Sequence, residues 1–324
     1  MNKALGPLLL ALSPLLTQAS EGGENVRFGT LTFGTVSWEL AAIRNEGLDK
    51  KYGVVVQEQV LAGPDAGKIG LKAGSLDLIA TDWIWVANQR STGADYRFIP
   101  YSTHAGALIA RGDGGIRTLA DLEGKKLGVV GGPLDKNWVL LRTYARDQAG
   151  IDLEHSAETV FGAPPLLSRE MADGKLDALL TFWNHAAKLE KQGFRRILDG
   201  RDLVRGLGVK DPLANLGYVF KQSWAEKNPK ALDGLLKASA EARRLLCESD
   251  AAWNKVAPLT QESDPALRAT LRREYCAGIA HRWTPEDNDA AARIYTLLRT
   301  HAGDQLTGKA ETLPRDIFWT GPLP

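Results

Sequence analysis

Methionine and cysteine are almost absent from this chain, and neither charge is in excess. Two Met and two Cys occur in 324 residues, and 40 Lys+Arg stand against 39 Asp+Glu. So few cysteines exclude a disulfide-stapled miniprotein and a thiolate metal cluster. The charge balance excludes a global basic footprint for nucleic acid. After residue 19 no apolar run reaches the length of a bilayer span. There is no Gly-x-Ser-x-Gly elbow, no His-Glu-x-x-His pair and no phosphate-loop lysine motif. Five His with no paired arrangement leave hydrolytic chemistry without a carrier. Nor is there an Asp-rich loop of the calcium-binding type, so no metal and no cofactor is expected. What the chain does have is tryptophan, nine residues of it, in an otherwise ordinary globular composition. Its length suggests about two domains.

Residues 1–19 read as a secretory signal peptide. One Lys near the start precedes an apolar run from Leu5 to Leu16 and a small-residue cleavage site ending at Ala19. Pro7 and Pro14 interrupt the run and argue against a buried helix. Export changes the meaning of Cys247 and Cys276. Both fall in segments of helical periodicity, where an oxidising compartment favours a bridge between neighbouring C-terminal helices; two buried free thiols are the alternative.

The chain repeats itself at an offset of about 100 residues. Gly74, Leu76, Asp77, Thr81 and Trp83 recur as Gly174, Leu176, Asp177, Thr181 and Trp183. Upstream, Trp38 pairs with Trp138, Glu58 with Glu158 and Pro64 with Pro164. Without a gap, 38–87 and 138–187 share eleven identities in fifty positions, where chance gives about three at average residue usage. Two related α/β units follow. Each reads as strand, Gly-containing loop, helix, strand, helix and strand, starting from 26–33 and 125–131. That alternation predicts parallel sheets with right-handed crossovers, and ligands beyond the carboxyl ends of the strands. Apolar runs at 101–111 and 215–220 leave each unit, and crossings near 105–110 and 212–218 make a natural hinge. From about Ser223 the pattern is helical, with N-cap signals at Asn228, Asp264 and Thr284, each before Pro.

At this point the chain resembles the periplasmic substrate-binding proteins of ABC importers, in the branch taking sulfonates, nitrate and thiamine-precursor pyrimidines. The likeness is carried by GLDKKYGVVV (47–56), LKAGSLDLIATD (71–82), IRTLADLEGKKLGV (116–129) and NPKALDGLLKA (228–238). The resemblance implies a type II periplasmic-binding fold, with two Rossmann-like lobes, a hinge and C-terminal helices. It implies lobe one from 24–106 plus 216–324 and lobe two from 107–215, following the signal peptide 1–19. It further implies a periplasmic monomer that carries no covalent chemistry and delivers a small molecule to an inner-membrane permease. An enzymatic branch of the same superfamily uses a Cys-rich motif, and no Cys lies within the two α/β units here. The alternative is an accessory protein of a metabolic system, holding a cofactor, a metal complex or a partner protein.

The repeat nominates the ligand site. Trp38 and Trp138 start helices facing the expected cleft, Trp83 and Trp183 follow the third strand of each unit, and Trp85 lies two residues on. Stacking and cation–π contact are the matching physics. Ser37, with Gly34 and Thr35, and Gly132, with Gly131, precede helix N-termini able to hold an anion. Asp82 is the sharpest polar candidate, Asp135, Asn184 and His185 fall near the expected rim, and His104, at the start of a crossing, belongs either to the hinge or to the site. The acids Glu39, Asp82 and Asp135 suit a cationic or metal-bearing ligand and the helix N-termini an anionic one, so the ligand's charge stays open. Alanine at Trp83 or Trp183 is expected to weaken binding without unfolding the lobes.

Overall fold

The computed structural model describes residues 23–104, 106–209 and 213–321; the expected signal peptide lies outside the described residues. Two five-stranded sheets organise them. The first contains β1 (Glu24–Leu31), β2 (Val54–Leu61), β3 (Leu78–Thr81), β4 (Tyr96–Ser102) and β10 (Leu216–Lys221). The second contains β5 (Gly106–Ala110), β6 (Lys126–Val130), β7 (Glu158–Gly162), β8 (Ala178–Phe182) and β9 (Arg195–Asp199). Their orders correspond: β2-β1-β3-β10-β4 and β7-β6-β8-β5-β9.

The sheets are mixed rather than wholly parallel. β10 runs antiparallel to β3 and β4, and β5 runs antiparallel to β8 and β9. Each of these strands arrives directly from the other lobe, without the crossover helix that a parallel neighbour requires. The apolar run at 101–111 is therefore two strands in two sheets, parted at 103–105. The return crossing pairs with the outgoing one, where Asn215 N–H donates to Ser102 O at 2.8 Å.

The repeated Gly-x-Leu-Asp turn has the same purpose in both lobes. Gly74 and Gly174 take φ of 75° and 74°, a region that disfavours a Cβ. The following carboxylates then accept backbone N–H groups of the neighbouring strand, Arg27 N to Asp77 at 2.8 Å and Lys126 N to Asp177 at 2.8 Å. These acids fasten strands together, which is why both units keep them.

Seven helices position the site: α1 (Val36–Asn45), α2 (Trp83–Arg90), α3 (Lys136–Ala149), α4 (Trp183–Lys191), α5 (Pro229–Glu248), α6 (Pro265–Ala277) and α7 (Pro285–Thr307). Asp264 caps α6 through Ala266 N at 2.7 Å, and Thr284 caps α7 in a reciprocal box with Asp287. Asn228 does not cap α5. Its side-chain amide donates backward to Trp224 O at 2.8 Å, because a short helix ends immediately before it. The C-terminal helix α5 and the short helix Asp250–Val256 cover α1 on lobe one, and α6, packed on α5, reaches α4 of lobe two.

Apolar packing crosses between the lobes at two seams. Val139 and Leu140 of α3 bury against Trp83, Ile84 and the α7 residues Ile294 and Leu298. Trp183 and Ala187 of α4 bury with Trp38, Trp253 and Tyr275. Beside the second seam, Lys188 reaches Glu262 at 3.0 Å and Lys191 reaches Asp264 at 2.8 Å.

Cys247 of α5 and Cys276 of α6 form a disulfide, with Cα atoms 5.7 Å apart. It closes a segment of 29 residues, for which loop-closure entropy gives about 3.5 kcal/mol. Replacing both cysteines by serine is expected to lower the melting temperature by several degrees in calorimetry. Reductant is expected to shift the wild type toward that value and leave the variant unchanged.

Candidate functional site

A buried polar pocket lies where α1, β4, α5 and α6 of lobe one meet the first residue of α4 from lobe two. Thr35 precedes α1, Tyr101 and Ser102 end β4, and His104 begins the crossing to lobe two. Arg243 enters from α5, Tyr275 and Gly278 from the end of α6, and Trp183 closes the pocket from the opposite lobe. The enclosed space between them is about 10 Å³, room for about one water.

The hinge is part of this wall. His104 stacks on Trp183 with ring centroids 4.6 Å apart and planes 19° from parallel. Its Nε2 sits 2.5 Å from Glu274 O, and Thr103 N–H donates to Gly278 O at 2.8 Å. Position 278 must be glycine here, since a Cβ would stand 1.9 Å from the His104 ring. Burial pushes the His104 imidazole below its ordinary value, so it is neutral and gives the Nε2 proton to Glu274 O.

Behind the pocket, a carboxylate and a guanidinium are buried together. Glu39 has no solvent exposure, and its Oε2 lies 3.7 Å from Arg243 Nε. Tyr218 Oη donates to Glu39 Oε1 and stands 3.0 Å from Ser239 Oγ. Burial raises the Glu39 carboxyl above its ordinary range, while Arg243 and then Tyr218 and Ser239 pull it back. Burial likewise raises the phenols of Tyr101, Tyr218 and Tyr275, which therefore stay protonated. Among the described residues, Glu39 Oε2, Arg243 Nε, Tyr101 Oη and Tyr275 Oη have no hydrogen-bond partner. An unpaired buried polar group costs about 1–3 kcal/mol; Tyr101, Tyr275 and Arg243 line the pocket, while Glu39 Oε2 faces Arg243 behind it.

The residues expected from sequence are dispersed. Trp183 lines the pocket, and Trp38 stands behind it edge-on, 6.2 Å from Trp183 and 5.8 Å from Trp253. Ser37 turns its hydroxyl to Gly34 O at 2.7 Å. Asn184 spans the lobes, donating to Phe33 O at 3.2 Å. Asp82 and Asp135 are helix N-caps, accepting from Trp85 N at 2.8 Å and Asn137 N at 2.9 Å. They face each other closely enough for Asp82 to raise the Asp135 carboxyl, although its burial is the larger cause.

Three tryptophans do not reach this pocket. Trp83 is buried in the α2–α7–α3 seam, and Trp138 is buried in the lobe-two core beneath Arg142. Trp85 packs on Tyr96 with centroids 5.1 Å apart. Gly132, in the turn before α3, is likewise not among the pocket residues. Side chains in the first turn of a helix lean back over the preceding strand, so the equivalent sequence position fills a core wherever another element covers it.

Arg243, Tyr101 and Tyr275 escaped the sequence reading. The available signal lies on α5: Ser239 falls on the stripe of Leu235, Ala242 and Leu246, and a polar residue on a buried face needs a partner.

Two outcomes follow. Trp83→Ala is expected to destabilise the fold by about 3–5 kcal/mol in denaturant titration, as for a buried aromatic truncated to Ala. His185 packs against Phe33 across the lobes, and burial with nearby Lys188 lowers it from 6.5 to about 4. The unfolded chain then binds a proton that the native state refuses. Stability is therefore expected to fall as pH drops from about 6.5 to about 4, by up to about 1.4 kcal/mol per unit. Melting temperatures of the wild type and His185→Phe across that range should converge toward neutral pH and diverge in acid.

No curated protein matches the sequence. The fold is similar to the alkanesulfonate-binding protein SsuA from Xanthomonas axonopodis pv. citri bound to MOPS, with a TM-score of 0.73. The two are 18% identical over 92% of this chain and 99% of that one. It is also similar to the periplasmic aliphatic sulphonate binding protein SsuA from Escherichia coli, with a TM-score of 0.71 and 19% identity over 94% of each chain. The periplasmic nitrate-binding protein NrtA from Synechocystis PCC 6803 shares the fold at a TM-score of 0.57 and 14% identity, over 74% of this chain and 66% of that one. Residues 74–250, more than half of the chain, match the NMT1/THI5-like family, and the protein belongs to that family.

Proposed function

We propose that this protein is the exported solute-binding component of an ABC importer, and that it holds a small solute between its lobes for delivery to an inner-membrane permease. The observation that carries this reading is the convergence of Arg243, Tyr101 and Tyr275 on an interlobe pocket that Trp183 closes from the other side. Family membership and the fold shared with sulfonate- and nitrate-binding proteins support it. No helix among the described residues is long and apolar enough to cross a membrane.

The chemistry favours an anionic head group. Arg243 offers charged donors, the phenols of Tyr101 and Tyr275 can donate beside it, and hydrogen bonds to charged partners are the stronger class. Only with the lobes together do Arg243 and Trp183 share one ligand, so the ligand binds the closed form better and shifts the population toward it. The protein acts as a monomer in the periplasm, and Asn184, Asp82 and Asp135 form the rim of the closed cleft.

A thermal-shift panel of sulfonates, carboxylates, pyrimidines, amines and metal ions tests this, because a ligand that binds only the folded state raises its melting temperature. A shift confined to anions is expected. Tyr275→Phe should weaken the hit about tenfold, the loss of one hydrogen bond, and Arg243→Gln by at least about 100-fold. No shift across the panel would sink the solute-binding reading and favour the accessory one.

A further inference from the structure

We propose that Glu39 is the counter-charge of Arg243 in the empty site, and that a singly charged anion binds Arg243 together with one proton taken up by Glu39. The proposal rests on the reading of Arg243 as the anion anchor. Glu39 would then be a positioning residue: it lies behind Arg243 and is not one of the residues that line the pocket.

Glu39 Oε1 is already engaged by Tyr218, whereas Oε2 is buried, has no hydrogen-bond partner among the described residues, and lies 3.7 Å from Arg243 Nε. The guanidinium is reached from both sides, by Glu39 from the core and by the ligand from the pocket. When an anion arrives, two negative groups share one cation in a space nearly without water. Like charges so placed cannot both stay ionised without a large rise in one pKa, and the buried one takes the proton. The balance is simple: Glu39 carboxylate, one proton from solvent and the anion give Glu39 carboxylic acid and the bound anion. The neutral carboxyl then has an O–H to donate, and its burial no longer opposes binding.

The other groups packed on Glu39 hold their charge state. β10 presents Tyr218, β4 presents Tyr101, α6 presents Tyr275, and burial holds all three phenols protonated. From α5 come Ser239, which does not titrate, and Arg243, which stays charged. The helix Asp250–Val256 contributes Trp253 to the same core. His104 lines the pocket on its hinge side; burial holds it neutral in the empty site, but an anion bound beside it would favour its protonation. The experiment has to separate it from Glu39.

The probe is methanesulfonate, which stays anionic at all working pH values, so the ligand itself contributes no proton. Calorimetric titration of the mature protein at pH 7, in two buffers of different ionisation enthalpy, counts protons directly. We expect an uptake approaching one per methanesulfonate, and affinity rising up to tenfold per unit as pH falls from 8 to 6. Glu39→Gln is expected to bind without uptake and without pH dependence. Binding by the wild type without uptake overturns the proposal, and uptake that persists in Glu39→Gln assigns the proton to His104 and overturns it equally. A second measurement needs no ligand. In Arg243→Met the carboxylate loses its partner, and the infrared carbonyl band of a protonated buried carboxyl should appear at pH 7. That band should be absent from the wild type and from Arg243→Met/Glu39→Gln. Its presence in the wild type would mean that Glu39 is neutral before any anion arrives, against the proposal. The expected bands with no methanesulfonate binding would overturn the anion anchor, and the coupling with it, while leaving the pairing of the two residues intact.

Discussion

A charge pair almost out of reach of water constrains the rest of this structure. Glu39 and Arg243 come from α1 and α5, and both helices must pack on the first sheet for the two groups to meet. Desolvating two ions costs several kcal/mol each, and their attraction offsets this only where further hydrogen bonds satisfy the remaining atoms. Tyr218 and Ser239 supply some of those bonds. Tyr218 sits on β10, the strand that returns from lobe two, so the polar cluster also fixes the place where the chain comes back. Of the unpaired groups that remain, Tyr101, Tyr275 and Arg243 belong to residues lining the pocket, while Glu39 Oε2 lies behind Arg243.

The same economy is visible at the hinge. His104 belongs to the outgoing crossing, rests on Gly278 at the end of α6, and stacks on Trp183 of the opposite lobe. Any change in the angle between lobes alters that stack and the Trp183 wall together. The disulfide holds Cys247 beside Cys276, one turn beyond Arg243 and one residue beyond Tyr275, and so ties together the two helices that bring those groups to the pocket. Cross-lobe pairs at Lys188 and Lys191 lie on the same side of the molecule. Hinge, cross-lobe ion pairs and pocket wall are thus one contiguous set of contacts around α4 and α6.

Much of the fold was legible because it repeats. Gly74 and Gly174, Asp77 and Asp177 solve the same local problem twice, a positive φ followed by a carboxylate that holds the neighbouring strand. Such constraints act within a few residues or one strand pair, so they leave a periodic trace. The site was legible only at Trp183 and, as neighbours, at Trp38 and Asn184. Its strongest members are Arg243 and Tyr275, which lie beyond the repeated region. Trp83 and Trp183 occupy equivalent positions in sequence, yet one fills a core seam and the other closes a pocket. The difference comes from what covers them: α7 and α3 pack over Trp83, while β4, α5 and α6 leave space beside Trp183.

The sequence alone therefore determined the two α/β units, their internal strand fastenings, the caps of α6 and α7 and the family to which the chain is similar. These depend on short-range sterics and on a spacing that duplication copied. Tertiary structure alone decided the antiparallel entry of β5 and β10, the meeting of Glu39 with Arg243, and which tryptophan lines the interlobe pocket. Those outcomes depend on groups roughly 40 to 200 residues apart being buried against one another, and the energy of a buried charge or ring is set by its surroundings rather than by its neighbours along the chain.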